Sequence, residues 1–227
     1  MKLQRLCVLA IFTMGCSQAS SLVGKANGSH KLTAKWSLKV HGLKGGAPEE
    51  YQIEVWENGS VFRAHVNATI PEEGGPSKEE SDVICDGKTV WQFNRKKLYS
   101  EGSEPQPGLY YEPADSDLLK PLYFWRVPDV AYTVDGTEKI LGRDCTRLKT
   151  TQQDITRNTI DVSCWIDPTL GYLLKRSNTS GGEIYGGQSE CREVQGYPTF
   201  PAGHFAPPKD ATKSTSPPEL WGIGISI

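Results

Sequence analysis

The stretch VICDGKTVWQFN (Val83–Asn94) consists of two short runs of β-forming residues separated by Asp86-Gly87. Asp-Gly is a common hairpin turn, because glycine readily takes the positive φ angle that a tight turn requires. The stretch therefore predicts a β-hairpin. On both sides of it the chain continues with alternating apolar and polar residues, punctuated by further turn residues, which is the pattern of half-buried strands.

This alternation predicts about eleven strands that follow one another as an antiparallel meander. Outside the hairpin, strands are predicted at Lys35–His41, Glu50–Trp56, Val61–Thr69, Lys97–Glu101, Ala131–Val134, Arg143–Thr150, Thr156–Asp167, Tyr172–Asn178 and Glu183–Val194. The best helix candidate is Ala114–Trp125. So long a sheet must curl or split to cover its apolar face. The predicted fold is mainly β: a curved, unclosed antiparallel β-barrel with a short helical plug and an apolar interior.

The overall composition is compatible with one folded domain. The chain has 227 residues, a net charge of −2, 23 glycines and 15 prolines. So many glycines and prolines disfavour a helical bundle, since both residues interrupt helices. The near-neutral charge argues against a nucleic-acid partner, and no stretch has the ~18 consecutive apolar residues of a spanning helix.

The N-terminus has the layout of an export signal. Lys2 and Arg5 precede the apolar run Leu6–Phe12, and small residues follow, as in secretory signal peptides. Two cleavage sites are open: a lipoprotein-type cut before Cys16, which would anchor the protein to a membrane, and an ordinary cut after Ala19. The predicted organisation is a signal peptide at 1–19, a tether at 20–34, the folded domain at 35–208 and a flexible tail at 209–227.

The remaining four cysteines favour disulfides in an oxidising compartment. Cys145 and Cys164 flank a predicted hairpin turn near Gln153-Asp154 at similar distances. A bridge between them is therefore expected, which leaves Cys85 to pair with Cys191. The alternative is that all four are buried free thiols.

Nothing in the sequence forms a recognisable catalytic centre. None of the four histidines has metal-ligand spacing, and neither a nucleophile-elbow nor a phosphate-loop motif is present. Arg63 and His65 share one strand face but are better explained as a solvated surface. We therefore expect a non-enzymatic protein with no metal and no cofactor.

Aromatic and aliphatic residues at alternating strand positions form the best candidate for a binding site. An acyl chain is held by burial of its methylene groups, each worth about 0.8 kcal/mol, so such a site needs apolar area rather than a motif. The candidate ligand-binding residues are Trp36, Leu38, Val40, Ile53, Val55, Phe62, Trp91, Phe93, Leu119, Tyr123 and Trp165.

Three motifs in the same order resemble the periplasmic lipoprotein-carrier superfamily of LolA, LolB and RseB. They are the hairpin Val83–Asn94, the preceding segments Val55-Trp56 and Val61–Arg63, and the later hairpin from Cys164-Trp165-Ile166-Asp167-Pro168 to Gly171–Lys175. The similarity extends over about residues 35–208. It implies an open antiparallel barrel with helices over its mouth.

The sequence departs from the carrier pattern in two places. Asn58 and Gly59 stand where the carrier has an Arg-Pro pair, and no amphipathic helix is evident in residues 17–34. The resemblance therefore implies a divergent member. Its expected role is to hold acyl chains of lipids or lipoproteins in the bacterial periplasm or at the outer membrane; the alternative is an RseB-like module that binds a protein partner.

Overall fold

We describe a computed structural model of the chain. The described residues are 17–41, 47–87, 89–94, 98–103, 125–128, 130–153, 157, 159–181, 183–209 and 212–213. The expected signal peptide, with Cys16, lies largely outside them. So do Leu119, Tyr123 and all but the last residue of the predicted helix Ala114–Trp125.

One helix and twelve strands make up the described part of the chain. The helix, α1, spans residues 17–26. The strands are β1 (His30–His41), β2 (Glu49–Gly59), β3 (Val61–Ile70), β4 (Ser77–Cys85), β5 (Thr89–Asn94), β6 (Leu98–Ser103), β7 (Thr133–Ile140), β8 (Arg143–Gln153), β9 (Thr159–Asp167), β10 (Tyr172–Ser180), β11 (Glu183–Gly196) and β12 (Thr212–Lys213).

All twelve strands belong to a single sheet in the order β12-β6-β5-β4-β3-β2-β1-β11-β10-β9-β8-β7. The meanders β1–β6 and β7–β11 are joined because β1 pairs antiparallel with β11. The two-residue strand β12 pairs parallel with β6. The outermost strands, β7 and β12, do not pair with each other, so the sheet is not closed. The predicted mainly β, unclosed antiparallel fold is confirmed.

The N-terminal segment differs from the tether that we predicted at residues 20–34. Residues 17–26 form α1, and β1 already begins at His30. The helix buries Ala19, Leu22, Val23 and Ala26, which lie on one face because they are three, four and seven residues apart. Two of the four are alanines, so the apolar stripe is too weak to stand out in the sequence.

The predicted disulfides are wrong. Cys85, Cys145, Cys164 and Cys191 are fully buried and form no disulfide with one another. Cys164 pairs across the ladder with Leu148 rather than Cys145, which places the two cysteines about 10 Å apart at 3.3 Å per residue. Four strand steps separate β4 from β11, a distance of about 19 Å at 4.8 Å per step, far beyond the reach of a disulfide.

Candidate functional site

The inner face of the sheet is a continuous apolar surface across β1 to β4. Neighbouring residues in this register form the row Ala34, Val55, Ala64 and Val83, and all four are at most 2% exposed. A second row begins with Trp36, Ile53 and Val66. Because directly opposed residues share a face, these rows place the alternating apolar residues of the sequence on one surface.

Among the described residues, two elements cover the inner face. Helix α1 lies beside the β9–β10 turn, where a Cβ built on Gly171 would be 3.2 Å from Lys25 Cβ. The segment of residues 125–127 lies over β2 and β3, and the ring of Trp125 is 6.0 Å from that of Phe62. The side-chain amide of Asn27 joins the two elements, because it donates to the Val127 carbonyl at 2.7 Å and accepts from the Val127 amide at 3.0 Å.

A charged pair interrupts this apolar interior. Glu57 is the one fully buried carboxylate of β2, at 0% exposure, and it lies opposite Phe62. Arg126 Nη2 is 3.8 Å from Glu57 Oε2, and Arg126 Nη1 donates to the carbonyls of Asn27 and Gly28. The guanidinium therefore links β2, the end of α1 and the 125–127 segment at one point.

Tyr172 lies close to this pair and to Trp36. Its ring makes edge contacts with Trp36 and His30, with centroids 6.1 and 5.1 Å apart. Burial raises the pKa of Tyr172 well above its ordinary value, and the negative charge of Glu57 raises it further. The phenol of Tyr172 is therefore neutral.

Most of the described candidate ligand-binding residues lie on the inner face. Trp36, Leu38, Val40, Ile53, Val55 and Phe62 are buried in one hydrophobic cluster with α1 and residues 125–127. As ligand-binding residues they remain a prediction. The side chains of Trp91 and Phe93 are outside the described set.

Trp165 lies on the other face of the sheet from these residues. Its Nε1 donates to Glu138 Oε2 at 2.6 Å, and Lys175 Nζ lies 4.5 Å from the ring centroid. Its neighbours Cys164 and Ile166 point to the opposite side, as alternation along a strand requires. Trp165 is buried in the same hydrophobic cluster but faces away from the inner-face residues with which we grouped it, because sequence pattern alone does not orient a strand that is buried on both faces. Its role in ligand binding remains a prediction.

An open cleft of about 710 Å³ runs beside α1. Its walls combine one face of the helix with one position of β8 and one of the β9–β10 turn: Ser17, Gln18, Ser21, Leu22, Lys25, Thr146 and Pro168. Leu22 is shared between the cleft and the core. The cleft therefore marks the line along which α1 meets the β8–β9 side of the sheet.

The outer face of β2 to β4 is charged. Arg63 Nη2 is 3.2 Å from Asp82 Oδ1, and His65 Nδ1 is 3.3 Å from the same oxygen. The half-exposed Arg63 and His65 thus belong to a surface ion-pair network, as expected. Among the described residues, no group of three or more His, Cys, Asp or Glu side chains could hold a metal ion. No helix there is long and apolar enough to cross a membrane.

The structure of this chain resembles solved structures in fold, but the sequence identities are low. No family model matches the sequence, and no curated protein matches it. The structure resembles that of an uncharacterized conserved protein from Thermus thermophilus, with a TM-score of 0.53 and 12% identity over 87% of this chain and 98% of that one.

Two further matches carry names. A structure of MucB matches with a TM-score of 0.49 and 12% identity over 86% of this chain, which spans 63% of the MucB chain. A LolA superfamily protein from Nitrosomonas europaea matches with a TM-score of 0.35 and 14% identity over 83% of this chain and 97% of that one. The likeness that reaches a TM-score above 0.5, that to the Thermus thermophilus protein, is a likeness of fold at low sequence identity.

Proposed function

We propose that this chain is an exported, non-enzymatic protein of the bacterial envelope that holds the acyl chains of a lipid or lipoprotein on the inner face of its sheet. The observation that carries the proposal is the pair of apolar rows on β1 to β4, centred on the small side chains of Ala34 and Ala64. An acyl chain needs only dry apolar area, at about 0.8 kcal/mol for each buried methylene.

The way this face is covered supports the proposal. A second sheet would close it permanently, but here α1 and the 125–127 segment cover it. Within the described residues, α1 contributes four buried apolar side chains to the core, and the cleft beside it borders Leu22. Outward movement of α1 along this cleft would expose apolar surface to a ligand without breaking any strand pair.

The position of α1 also bears on the export signal. An ordinary cut after Ala19 would remove the first turn of the helix, including the side chain of Ala19, which is 1% exposed. A cut before Cys16 would leave residues 17–26 complete. We therefore favour lipidation at Cys16 and a membrane anchor directly ahead of α1. Metabolic labelling with an alkyne fatty acid should mark the wild-type protein and not Cys16→Ser.

A disulfide lock on α1 tests the proposed site. A double variant, Lys25→Cys with Gly171→Cys, would place two Cβ atoms 3.2 Å apart, within a few tenths of an ångström of the ~3.5–4.5 Å usual for disulfides. In a Cys16→Ser background, uptake of a fluorescent fatty acid should be at least about tenfold slower in the oxidised protein. Reduction should restore the rate in the same sample.

The single variant Gly171→Cys is the matched control, because Gly171 has a φ of +62° and any side chain there adds strain. It should take up the probe equally in both redox states. Equal uptake by the oxidised and reduced double variant would show that α1 is not the cover. No uptake by any form, together with a lipid-free mass in native mass spectrometry, would overturn acyl-chain binding.

The second candidate function is binding of a protein partner. It is favoured by one observation: Trp36, Leu38 and Phe62 are each 1% exposed, so the chain's own residues already fill this part of the interior. If the wild type carries no lipid but affinity capture from envelope extracts recovers one stoichiometric protein partner, this second function is the better description.

A further inference from the structure

The C-terminal segment of residues 197–209, which we call the strap, packs on the outer face of the sheet. It starts where the Tyr197 amide donates to the Lys31 carbonyl at 2.7 Å. Two turns within it are closed by the His204 and Ala206 amides, at 3.1 and 3.0 Å from their acceptors. Beyond it, β12 pairs with β6, so the C-terminal segment starts beside the central strand β1 and reaches the β6 edge of the sheet.

His204 lies at the centre of the strap's contact with the sheet. Its ring is 5.3 Å from that of Trp56 on β2, in an edge arrangement. Within the strap it stacks on Phe200 at 5.4 Å and meets the edge of Phe205 at 4.9 Å. His204 therefore contacts three aromatic rings, and its contact with Trp56 joins the strap to the sheet.

The surroundings of His204 favour the neutral ring. Its Nε2 is buried and has no hydrogen-bond partner among the described residues. The pKa of His204 is lowered, first by burial and second by the positive charge of Arg63. Arg63 lies on β3 directly opposite Trp56.

The charged groups on the neighbouring strands do not offset the lowering of the His204 pKa. On β4, Asp82 is already paired with Arg63 and His65. Glu54 on β2 lies opposite His65, one pair further along the strands than Trp56. The described residues of the strap between Tyr197 and Ala206 contribute no carboxylate.

We propose that protonation of His204 releases the strap from the outer face. The charged ring would need an acceptor at Nε2 and would face Arg63, whereas in the released strap it would be hydrated. Release would uncover Trp56 and withdraw β12 from the edge strand β6. The chain would thus carry a pH-dependent cover on a surface distinct from the inner face.

The direction in which pH changes the docking of the strap follows from proton linkage. A histidine with a lower pKa in the docked state binds fewer protons there than in the released state. Docking is therefore strongest above the ordinary histidine pKa of about 6.5. It weakens as the pH falls through that value and stops changing once the pH is below the lowered pKa of the docked state.

Hydrogen exchange of the strap on the full-length protein tests this proposal. After correction for intrinsic rates, the hydrogen-bonded amides of Tyr197, His204 and Ala206 should exchange several-fold faster at about pH 5 than at about pH 7.5. His204→Phe keeps an aromatic ring that cannot be protonated, so its strap should exchange at one rate at both pH values. His41→Gln, at the far end of β1, is the matched control and should behave as wild type.

A ¹³C-histidine NMR titration provides the second readout. The resonance that disappears in His204→Phe should titrate below the ordinary value. As the pH falls below the pKa of the docked state, the fold-change in exchange should approach the ratio of the docked and released acid constants. Two results would overturn the proposal: a pH response of the strap that persists in His204→Phe, or titration of His204 at or above the ordinary value, as the aromatic rings would cause if cation–π attraction dominated.

Discussion

The two faces of β1 to β4 come from one alternating sequence but are stabilised differently. On the inner face, Val55 and Ala64 are fully buried and pack against elements from distant parts of the chain. On the outer face, Lys39 and Glu50 form an ion pair at 2.7 Å with about half of each side chain exposed. The inner face therefore depends on dry packing, and the outer face depends on contacts that water screens.

This difference has a functional meaning. A face held by non-directional apolar contacts can exchange one apolar partner for another, so an acyl chain can replace a helix there. The aromatic part of the outer face is different because the docked strap surrounds an ionisable ring. The first face would respond to a ligand and the second to pH.

The largest expected effect is a charge on the inner face. Val55→Asp places a carboxylate at 0% exposure between Ala34 and Ala64. Without a partner it should destabilise the fold by more than about 4 kcal/mol, which abolishes cooperative unfolding in urea. Glu54→Asn, one residue away on the outer face, should change the free energy of unfolding by less than about 0.5 kcal/mol. Comparable losses in both variants would contradict the assignment of faces.

Removing one partner of the interior ion pair should have the next largest effect. Arg126→Ala leaves Glu57 buried and uncompensated, so we expect a loss of about 3–5 kcal/mol in chemical denaturation. The double variant Glu57→Leu with Arg126→Met should recover most of it, since an apolar pair needs no desolvation. A double variant as unstable as Arg126→Ala would show that Arg126 acts through other contacts.

The cysteines should have smaller, independent effects. Cys145→Ala and Cys164→Ala each remove a buried sulfur, at about 1 kcal/mol each, and the double variant should lose the sum. Burial raises the pKa of Cys145 to about 11, so the native thiols should resist thiol reagents at about pH 8. If a disulfide joined Cys145 and Cys164, either single variant would already break it. The double variant would then be no less stable than either single variant.

The smallest expected effect is on the outer face. A double-mutant cycle on Lys39→Ala and Glu50→Ala should give a coupling of about 0.2–1 kcal/mol that falls with added salt. A coupling of several kcal/mol, unchanged by salt, would remove the contrast between the two faces.

Much of the sheet could be predicted because strand signals are local. Alternation and turn residues located β3, β5 and β8 to β11 to within a few residues, and the placement of Trp36 on a buried face follows from period two. The register between strands could not be predicted in the same way. Two cysteines at similar distances from a turn suggested a disulfide, which the pairing of Cys164 with Leu148 excludes.

The sequence by itself determined which residues form strands, where most of them turn and which side chains share a face, because each depends on a residue and its near neighbours. Only the tertiary structure decided what covers each face. Helix α1 is stable through burial against the sheet rather than through its own weak apolar stripe. Two contacts join segments far apart in the chain: the ion pair of Glu57 with Arg126 and the ring contact of His204 with Trp56. No local sequence pattern encodes such contacts.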